Sequence, residues 1–191
     1  MARLSITDKV HQFLSAEIHP GDHVIDATMG NGHDTLFLSK QVGDQGHVFA
    51  FDIQPGAIQN TRDQLALQQL QNRATLLLKS HASMHDFIPI HQHGHITCVI
   101  FNLGYLPGAD KSLTTQIEST LSALTQSCRP LTKQGCISIL AYTGHPGGME
   151  EFDAIKNWVS QLSNNEFTVS INNLLPNHRH PPQWVLIKKR A

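Results

Sequence analysis

The sequence is poor in cysteine and in net charge, and each shortage excludes a class of protein. Its three cysteines, Cys98, Cys128 and Cys136, are odd in number and lack the spacing of a disulfide framework or a zinc site. We expect them to be buried thiols in a reducing compartment. A formal net charge of −1 argues against a protein that wraps duplex DNA, but it is compatible with holding one short RNA segment.

Long apolar runs and glycine-proline tracts are also missing. No apolar run approaches the roughly 20 residues that cross a bilayer, and the first 14 residues contain no apolar signal core. We therefore expect no membrane span and a cytoplasmic location. With 13 glycines and 9 prolines among 191 residues, a low-complexity chain is excluded. The 40% of hydrophobic residues is instead typical of one folded domain over residues 1–191.

What the sequence does contain is a regular alternation of strands and helices. The predicted strands are 24–27, 47–51, 74–78, 96–101 and 136–141, followed by a hairpin of 167–174 and 184–188. The predicted helices are one capped by Thr7, which should pack residues 1–20 on the core, and then 34–42, 55–71, 112–128 and 150–162. This order predicts an α/β fold with a mostly parallel sheet and a C-terminal antiparallel hairpin. In such sheets ligands bind beyond the carboxyl ends of the strands.

The loop after the first strand is rich in glycine and carries two acidic residues. Gly30 and Gly32 allow the backbone to approach a ligand closely before a helix N-terminus. In a dinucleotide motif of the form G-x-G-x-x-G, the third glycine would fall on Thr35, directly after Asp34, whose carboxylate would repel a pyrophosphate. A bound NAD(P) is therefore disfavoured. The carboxylate of Asp26 suits a cationic ligand, such as the amino acid part of S-adenosylmethionine (SAM).

Two further strand ends carry polar side chains. Asp52 ends the second strand, where a carboxylate can accept hydrogen bonds from both ribose hydroxyls of an adenosine; the alternative is a cap for the helix that follows. Asn102 ends the fourth strand, and Tyr105 follows it. The carbonyl of an asparagine can accept from an amine and direct its lone pair at a methyl donor, while an aromatic ring can stack on a base. The alternative there is an ordinary glycine-containing turn.

Four segments together resemble a known family. They are Asp26-x-x-x-Gly-Asn-Gly, Asp52-Ile-Gln, Asn102-Leu-Gly-Tyr-Leu-Pro-Gly-x-Asp-Lys111 and Tyr142-x-Gly-His-Pro-Gly-Gly-x-Glu150. From about residue 6 to residue 188 the chain is similar to small SAM-dependent methyltransferases once labelled rRNA methylases. That group includes the MnmM/YtqB-like enzymes that methylate 5-aminomethyl-2-thiouridine in tRNA.

The resemblance implies a three-layer, Rossmann-like class I methyltransferase fold with a seven-stranded sheet. It also implies SAM as the methyl donor and the wobble uridine of a tRNA anticodon loop as the acceptor. The reaction would convert a 5-aminomethyl group to 5-methylaminomethyl. No cysteine nucleophile stands at a predicted strand end, which favours methylation of nitrogen over carbon 5 of the pyrimidine.

The motif positions imply the site residues. The candidate SAM contacts are Asp26, Met29, Gly30, Asn31, Gly32, Asp34, Thr35, Asp52, Gln54, His81, Ser83 and Asn102. His81 and Ser83 stand near the expected adenine, where many relatives have an acidic residue. The candidate catalytic residues are Asn102, Tyr105, Asp110, Tyr142 and His145. Either His145 or Asp110, or a solvent water, could take the proton of the acceptor amine.

An RNA surface must be modest in a chain of this charge. Its candidates are Lys111, Arg179 and Trp184, together with Arg129, Lys133 and Lys188 to Arg190. A homodimer would widen that surface. Three alternatives stay open: an rRNA base methyltransferase, a non-catalytic RNA-binding module and an oxidoreductase. The histidines of residues 81–95 also suggest a metal site, but without an acidic or thiolate partner a solvated loop with no metal is expected.

Overall fold

A computed structural model describes residues 5–105, 114–173 and 181–191 of the chain. Its helices are α1 (Ile6–Leu14), α2 (His33–Val42), α3 (Pro55–Leu67), α4 (Met84–Phe87), α5 (Ile117–Ser127) and α6 (Gly148–Val159). Its strands are β1 (His23–Asp26), β2 (His47–Asp52), β3 (Ala74–Leu78), β4 (Ile96–Leu103), β5 (Leu131–Ala141), β6 (Phe167–Asn173) and β7 (Gln183–Lys189). Short 3-10 turns lie at Gln71–Arg73, His81–Ser83 and Ile90–Gln92.

The described strands form one seven-stranded sheet in the order β3-β2-β1-β4-β5-β7-β6. The first five strands run parallel, and β7 runs antiparallel to both β5 and β6. The predicted α/β fold with a C-terminal hairpin is therefore confirmed. The strand order reverses between β1 and β4, which is the position where open α/β sheets bind ligands.

The apolar core lies on both faces of the sheet. One face packs Phe51, Phe101 and Leu103 against α5 and α6, whereas the other packs Val24 and Val48 against α1 and α2. The inner strands are buried on both faces, which is why they read as continuous apolar runs rather than as alternating patterns. Helix α1 is part of this packing through its apolar side. The N-terminal segment is thereby held close to the carboxyl end of β1.

Several element ends differ from the sequence prediction. Helix α1 is capped by Ser5 rather than Thr7, because Ser5 forms a reciprocal capping box with Asp8. Helix α5 begins at 117 rather than 112, and residues 114–116 are extended. Thr114 pairs with Tyr105 in a β-bridge, and the Thr115 amide donates to the Gly104 carbonyl, which explains the late helix start.

The histidine-rich stretch 81–95 is not a plain solvated loop, which corrects that expectation. It contains α4 and two 3-10 turns, and His81 is buried. Among the described residues, no three His, Cys, Asp or Glu side chains are arranged to hold a metal ion. Cys98 and Cys136 are buried free thiols, as expected, whereas Cys128 is only partly buried. Across the same described ranges, no helix has the length and apolarity needed to cross a membrane.

Candidate cofactor and acceptor site

A cavity of about 1230 Å³ opens at the carboxyl edge of the sheet. The loops after β1 to β5 line it, and α1 closes one side. Ligand pockets commonly measure roughly 300–1,000 Å³, so this cavity has room for a cofactor and part of a second molecule. Residues from the ranges 28–34, 52–54, 79–81, 102–105 and 142–145 contribute to it.

The glycine loop is shaped by two left-handed residues. Gly30 has φ 52° and Gly32 has φ 84°, a region that side-chain-bearing residues rarely adopt. A Cβ atom on Gly32 would lie 2.6 Å from Thr61 Oγ1 and 2.9 Å from Thr61 Cα. Gly32 therefore lets the loop pack against α3. It does not line the cavity, and its predicted direct contact with a cofactor is replaced by this packing role.

Asp52 joins the first loop to the second. Its Oδ2 accepts a hydrogen bond from the Gly30 amide at 2.9 Å, and its Oδ1 accepts from the Gln54 amide at 2.8 Å. An ionised carboxylate has about four acceptor positions, so each oxygen can still accept a ligand hydroxyl. Asp52 is not itself the N-cap of α3, because Gln54 stands at that position, although Asp52 does accept the Gln54 amide.

Asp26 lies beneath the loop rather than in the cavity. It is fully buried, and it accepts from Thr35 Oγ1 at 2.6 Å and from the Thr28 amide at 3.1 Å. Neither Asp26 nor Thr35 lines the cavity, so their predicted direct contacts are corrected to a supporting role. Burial, with the Asp34 carboxylate nearby, raises the pKa of Asp26 to about 7.

The raised pKa of Asp26 predicts a pH-dependent stability. The folded chain keeps this proton between the ordinary carboxyl pKa of 3.8 and about 7, whereas the unfolded chain has lost it. The stabilisation is complete below pH 3.8 and is lost as the pH rises through about 7. In urea titrations from about pH 5 to pH 8, the wild-type free energy of unfolding should fall relative to that of Asp26→Asn. The variant Asp63→Asn, changed at an exposed residue, should follow the wild type at every pH. A constant difference in the free energy of unfolding between the wild type and Asp26→Asn over this range would contradict the assignment.

Asp34 and Asn102 lie side by side in the cavity wall. The Asn102 amide nitrogen donates to Asp34 Oδ2, and His11 Nε2 lies 2.5 Å from Asp34 Oδ1. The backbone amide of Asn102 donates to Thr28 Oγ1 at 2.6 Å. Sequence reasoning missed both residues, since His11 lies outside every motif and Thr28 is an unspecified position of the first one.

His145 and two tyrosines form the outer part of the cavity. Tyr105 and Tyr142 are 37% and 38% exposed, so their rings are available to a ligand at the entrance. His145 Nδ1 donates to the Pro146 carbonyl at 2.9 Å, which leaves its Nε2 unprotonated in the neutral ring. That Nε2 is buried and has no hydrogen-bond partner among the described residues. The arrangement offers an unused proton acceptor beside Tyr105, whose ring centroid is 6.0 Å away.

His81 offers a second unused acceptor. Its Nδ1 donates to the Ala27 carbonyl at 2.9 Å, and its buried Nε2 has no partner in the described part of the chain. Burial lowers the pKa of His81, which keeps the ring neutral. Ser83 does not line the cavity, and its hydroxyl donates instead to the Ser80 carbonyl at 2.9 Å. The predicted contact at Ser83 is therefore corrected.

A buried glutamate supports the turn that follows Asn102, and the sequence motif ends one residue before it. The motif ended at Glu150, which is exposed, whereas Glu151 is 3% exposed. Glu151 accepts from Thr115 Oγ1 at 2.8 Å and from Thr120 Oγ1 at 2.7 Å. Thr115 Oγ1 in turn accepts from the Gly104 amide at 3.1 Å. Glu151 thus fixes the turn that follows Asn102.

The structure corrects the predicted RNA contact at Trp184. Trp184 is buried, and its Nε1 donates to Ser138 Oγ at 3.0 Å, so it cannot stack on a base. Because β7 runs antiparallel to β5, Lys188 pairs with Cys136 near the amino edge of the sheet, away from the cavity. Lys188 also contacts Glu17, and Arg129 and Lys133 flank the start of β5 on the same side. The predictions at Asp110, Lys111 and Arg179 lie outside the described residues.

Comparisons with known proteins agree with this geometry. The family model described as "Putative rRNA methylase" matches residues 48–188. A tRNA (mnm(5)s(2)U34)-methyltransferase of Arabidopsis thaliana chloroplasts is 40% identical over 84% of this chain. The chain spans only 61% of that relative's length.

Solved structures share the whole architecture. A "putative rRNA-methylase" from Clostridium thermocellum superposes with a TM-score of 0.92 at 34% identity, covering 99% of this chain and 100% of the other. A Streptococcus mutans "putative methyltransferase", solved in complex with SAH, gives a TM-score of 0.86 at 35% identity and covers 98% and 99% of the two chains. The predicted class I methyltransferase fold is therefore confirmed.

Proposed function

The chain belongs to the rRNA methylase family, and on that premise we propose that it is a SAM-dependent methyltransferase that acts on RNA. The proposed acceptor is the 5-aminomethyl group of a wobble uridine in tRNA, which would become 5-methylaminomethyl. The observation that carries this proposal is a cavity at the carboxyl edge of the sheet that is lined by the Asp34 and Asp52 carboxylates, the Asn102 amide and two tyrosine rings. The name of the Arabidopsis thaliana relative supports the choice of tRNA.

The residues of the first two loops fit SAM. The carboxylate of Asp52 would accept from the ribose hydroxyls, and the orphaned Nε2 of His81 would accept from the adenine amino group. The carboxylates of Asp34 and Asp52, which line the cavity, favour a cationic ligand over a pyrophosphate. When bound, SAM supplies an activated methyl group on its sulfonium. The protein then has to align the acceptor and remove its proton.

The acceptor side fits a primary amine. An alkyl ammonium, with lysine at about 10.4 as a guide, is mostly protonated in neutral water and must lose a proton before it can attack. His145 Nε2 would take this proton, because the residue lines the cavity and this nitrogen has no hydrogen-bond partner among the described residues. The Asn102 carbonyl would hold one of the remaining N–H bonds, and Tyr105 and Tyr142 would stack on the extruded base. No cysteine lines the cavity among the described residues, which favours nitrogen over carbon 5.

The RNA contact would come from the cavity rim rather than from the chain terminus. Lys40 and Lys79 are exposed and line the same opening. Their charge would meet the phosphates of an anticodon loop, so that binding should weaken with added salt. A cytoplasmic location and a homodimer belong to the same proposal. Light scattering of the protein alone and with tRNA tests whether it forms a homodimer.

Nucleoside mass spectrometry tests the proposed reaction directly. Bulk tRNA from cells that lack this protein is incubated with the purified chain and SAM, and the nucleosides are then separated and weighed. We expect 5-aminomethyl-2-thiouridine to disappear and its 5-methylaminomethyl form to appear. Without SAM, or with NAD(P) in its place, neither should change. SAM and SAH should also raise the melting temperature, whereas NAD(P) should not.

Two other results would redirect the proposal. Methyl transfer to rRNA and not to tRNA would make the chain an rRNA base methyltransferase, in line with the family description. RNA binding without methyl transfer, and without any stabilisation by SAM, would make it a non-catalytic RNA-binding module.

A further inference from the structure

The orientation of the Asn102 side chain is set by its neighbour. The amide nitrogen of Asn102 donates to the Asp34 carboxylate, which can only accept. The reverse orientation would place the amide oxygen against a carboxylate oxygen, and the two acceptors would repel each other. The hydrogen bond from the Asn102 backbone to Thr28 Oγ1 fixes the position of the residue at the same time. The side-chain oxygen is therefore the group that Asn102 can offer to a ligand.

Asp34 is itself held by α1. Its side chain is 6% exposed, so water cannot hold it in place, and one carboxylate oxygen contacts His11 at 2.5 Å. The His11 ring stacks on Phe37 with a centroid distance of 3.9 Å and an interplanar angle of 5°. Both rings therefore have restricted freedom to turn. The same helix contributes Thr7, which lines the cavity together with Tyr142. Helix α1 thus supports the amide of the acceptor site.

From this chain of contacts we infer that His11 and Asp34 are positioning residues that hold the Asn102 amide with its oxygen towards the acceptor amine. This inference rests on the proposed function and adds a role for the N-terminal helix. An amide held in one orientation accepts an N–H bond and leaves the amine lone pair facing the methyl donor. A freely turning amide would present its N–H groups half of the time, and these would compete for the same lone pair.

An exchange of the two side chains tests the inference. In Asp34→Asn the new amide at position 34 can either donate or accept a hydrogen bond, so the Asn102 amide loses its fixed orientation. We expect kcat for the tRNA amine to fall roughly 100-fold, which is a larger change than the one in the dissociation constant for SAH, to which Asp34 contributes only through its negative charge. Asn102→Asp alone places two carboxylates together, and its kcat should be no higher than that of Asp34→Asn. The double variant Asp34→Asn/Asn102→Asp restores one donor and one outward oxygen, and it should recover about tenfold or more over Asn102→Asp.

Substitutions at His11 provide a second, independent readout. His11→Gln keeps an N–H donor and should retain most of kcat, whereas His11→Phe keeps the stacking on Phe37 but loses the donor. We expect His11→Phe to be about tenfold slower than His11→Gln when both variants are assayed at a temperature at which they are folded. If an Asp34 variant fails to fold, the two His11 variants still test whether the contact between His11 and Asp34 positions the Asn102 amide.

The outcomes separate this inference from the proposed function. A wild-type chain that transfers no methyl group to any RNA amine would overturn the proposed function. A wild type that is active, together with Asp34→Asn at full kcat or a double variant no faster than Asn102→Asp, would overturn the positioning role alone. A loss of SAH affinity in Asp34→Asn at unchanged kcat would instead make Asp34 a direct cofactor contact.

Discussion

Replacing Asp52 with alanine should raise the dissociation constant for SAM and SAH by roughly 100-fold or more. A hydrogen bond to a charged group contributes about 1.5–3 kcal/mol, and this carboxylate would offer one to each ribose hydroxyl. Every 1.4 kcal/mol corresponds to a factor of about ten in affinity. The same substitution also releases the amides of Gly30 and Gln54, so the two loops that line the cofactor half of the cavity lose their common partner.

Titration calorimetry with SAH measures this effect without any RNA. Asp63→Ala is a matched control, because Asp63 is an exposed aspartate of the adjoining helix α3 that accepts a hydrogen bond from Gln59 of the same helix. The control should bind SAH as the wild type does. Asp52→Ala with wild-type affinity would show that the carboxylate shapes the loop without contacting the cofactor. The cofactor half of the site would then have to be reassigned.

The sheet and its polar edge could be predicted because they depend on local signals. A buried parallel strand is a short apolar run, and the first polar residue after it marks the carboxyl end. Asp52 and Asn102 were placed at strand ends on this basis, and the structure has them there. Topology then brings these ends to one edge, whatever the sequence separation between them.

The interior of the site could not be predicted, because it depends on packing between distant segments. His11 and Asp34 are 23 positions apart and meet only because α1 packs beside α2. The burial of Asp26 likewise follows from the path of the glycine loop over it.

One miss was avoidable from helix periodicity. Glu151 lies four positions before Ile155 and shares the buried side of α6, while Glu150 is turned away by about 100°. The apolar spacing along α6 therefore indicates Glu151 as the inward glutamate, which the motif alone did not. Trp184 is buried because β7 is the inner strand of the hairpin, paired with β5, and because its ring packs against Phe13 of α1. The order of the strands in the sheet is what shows that β7, and not β6, is the internal strand.

Replacing His145 with alanine should lower kcat by roughly 100-fold or more, which is the range expected for the loss of a positioned general base. The structure supports this role with two observations. Donation from Nδ1 to the Pro146 carbonyl fixes the tautomer, and the buried Nε2 has no other partner among the described residues. SAH affinity should change little, because His145 lies on the acceptor side.

Added imidazole distinguishes a proton acceptor from a packing residue at this position. His145 also fills space, since a Cβ atom on Gly148 would lie 2.9 Å from its Nε2, so a loss of activity alone could reflect a shifted turn. If His145 accepts the proton, imidazole should restore part of kcat in His145→Ala in proportion to its concentration and should leave the wild type and the exposed-site control His19→Ala unchanged. Activity that is lost and not recovered would assign His145 to support of the turn. Solvent water would then be the group that takes the proton from the amine.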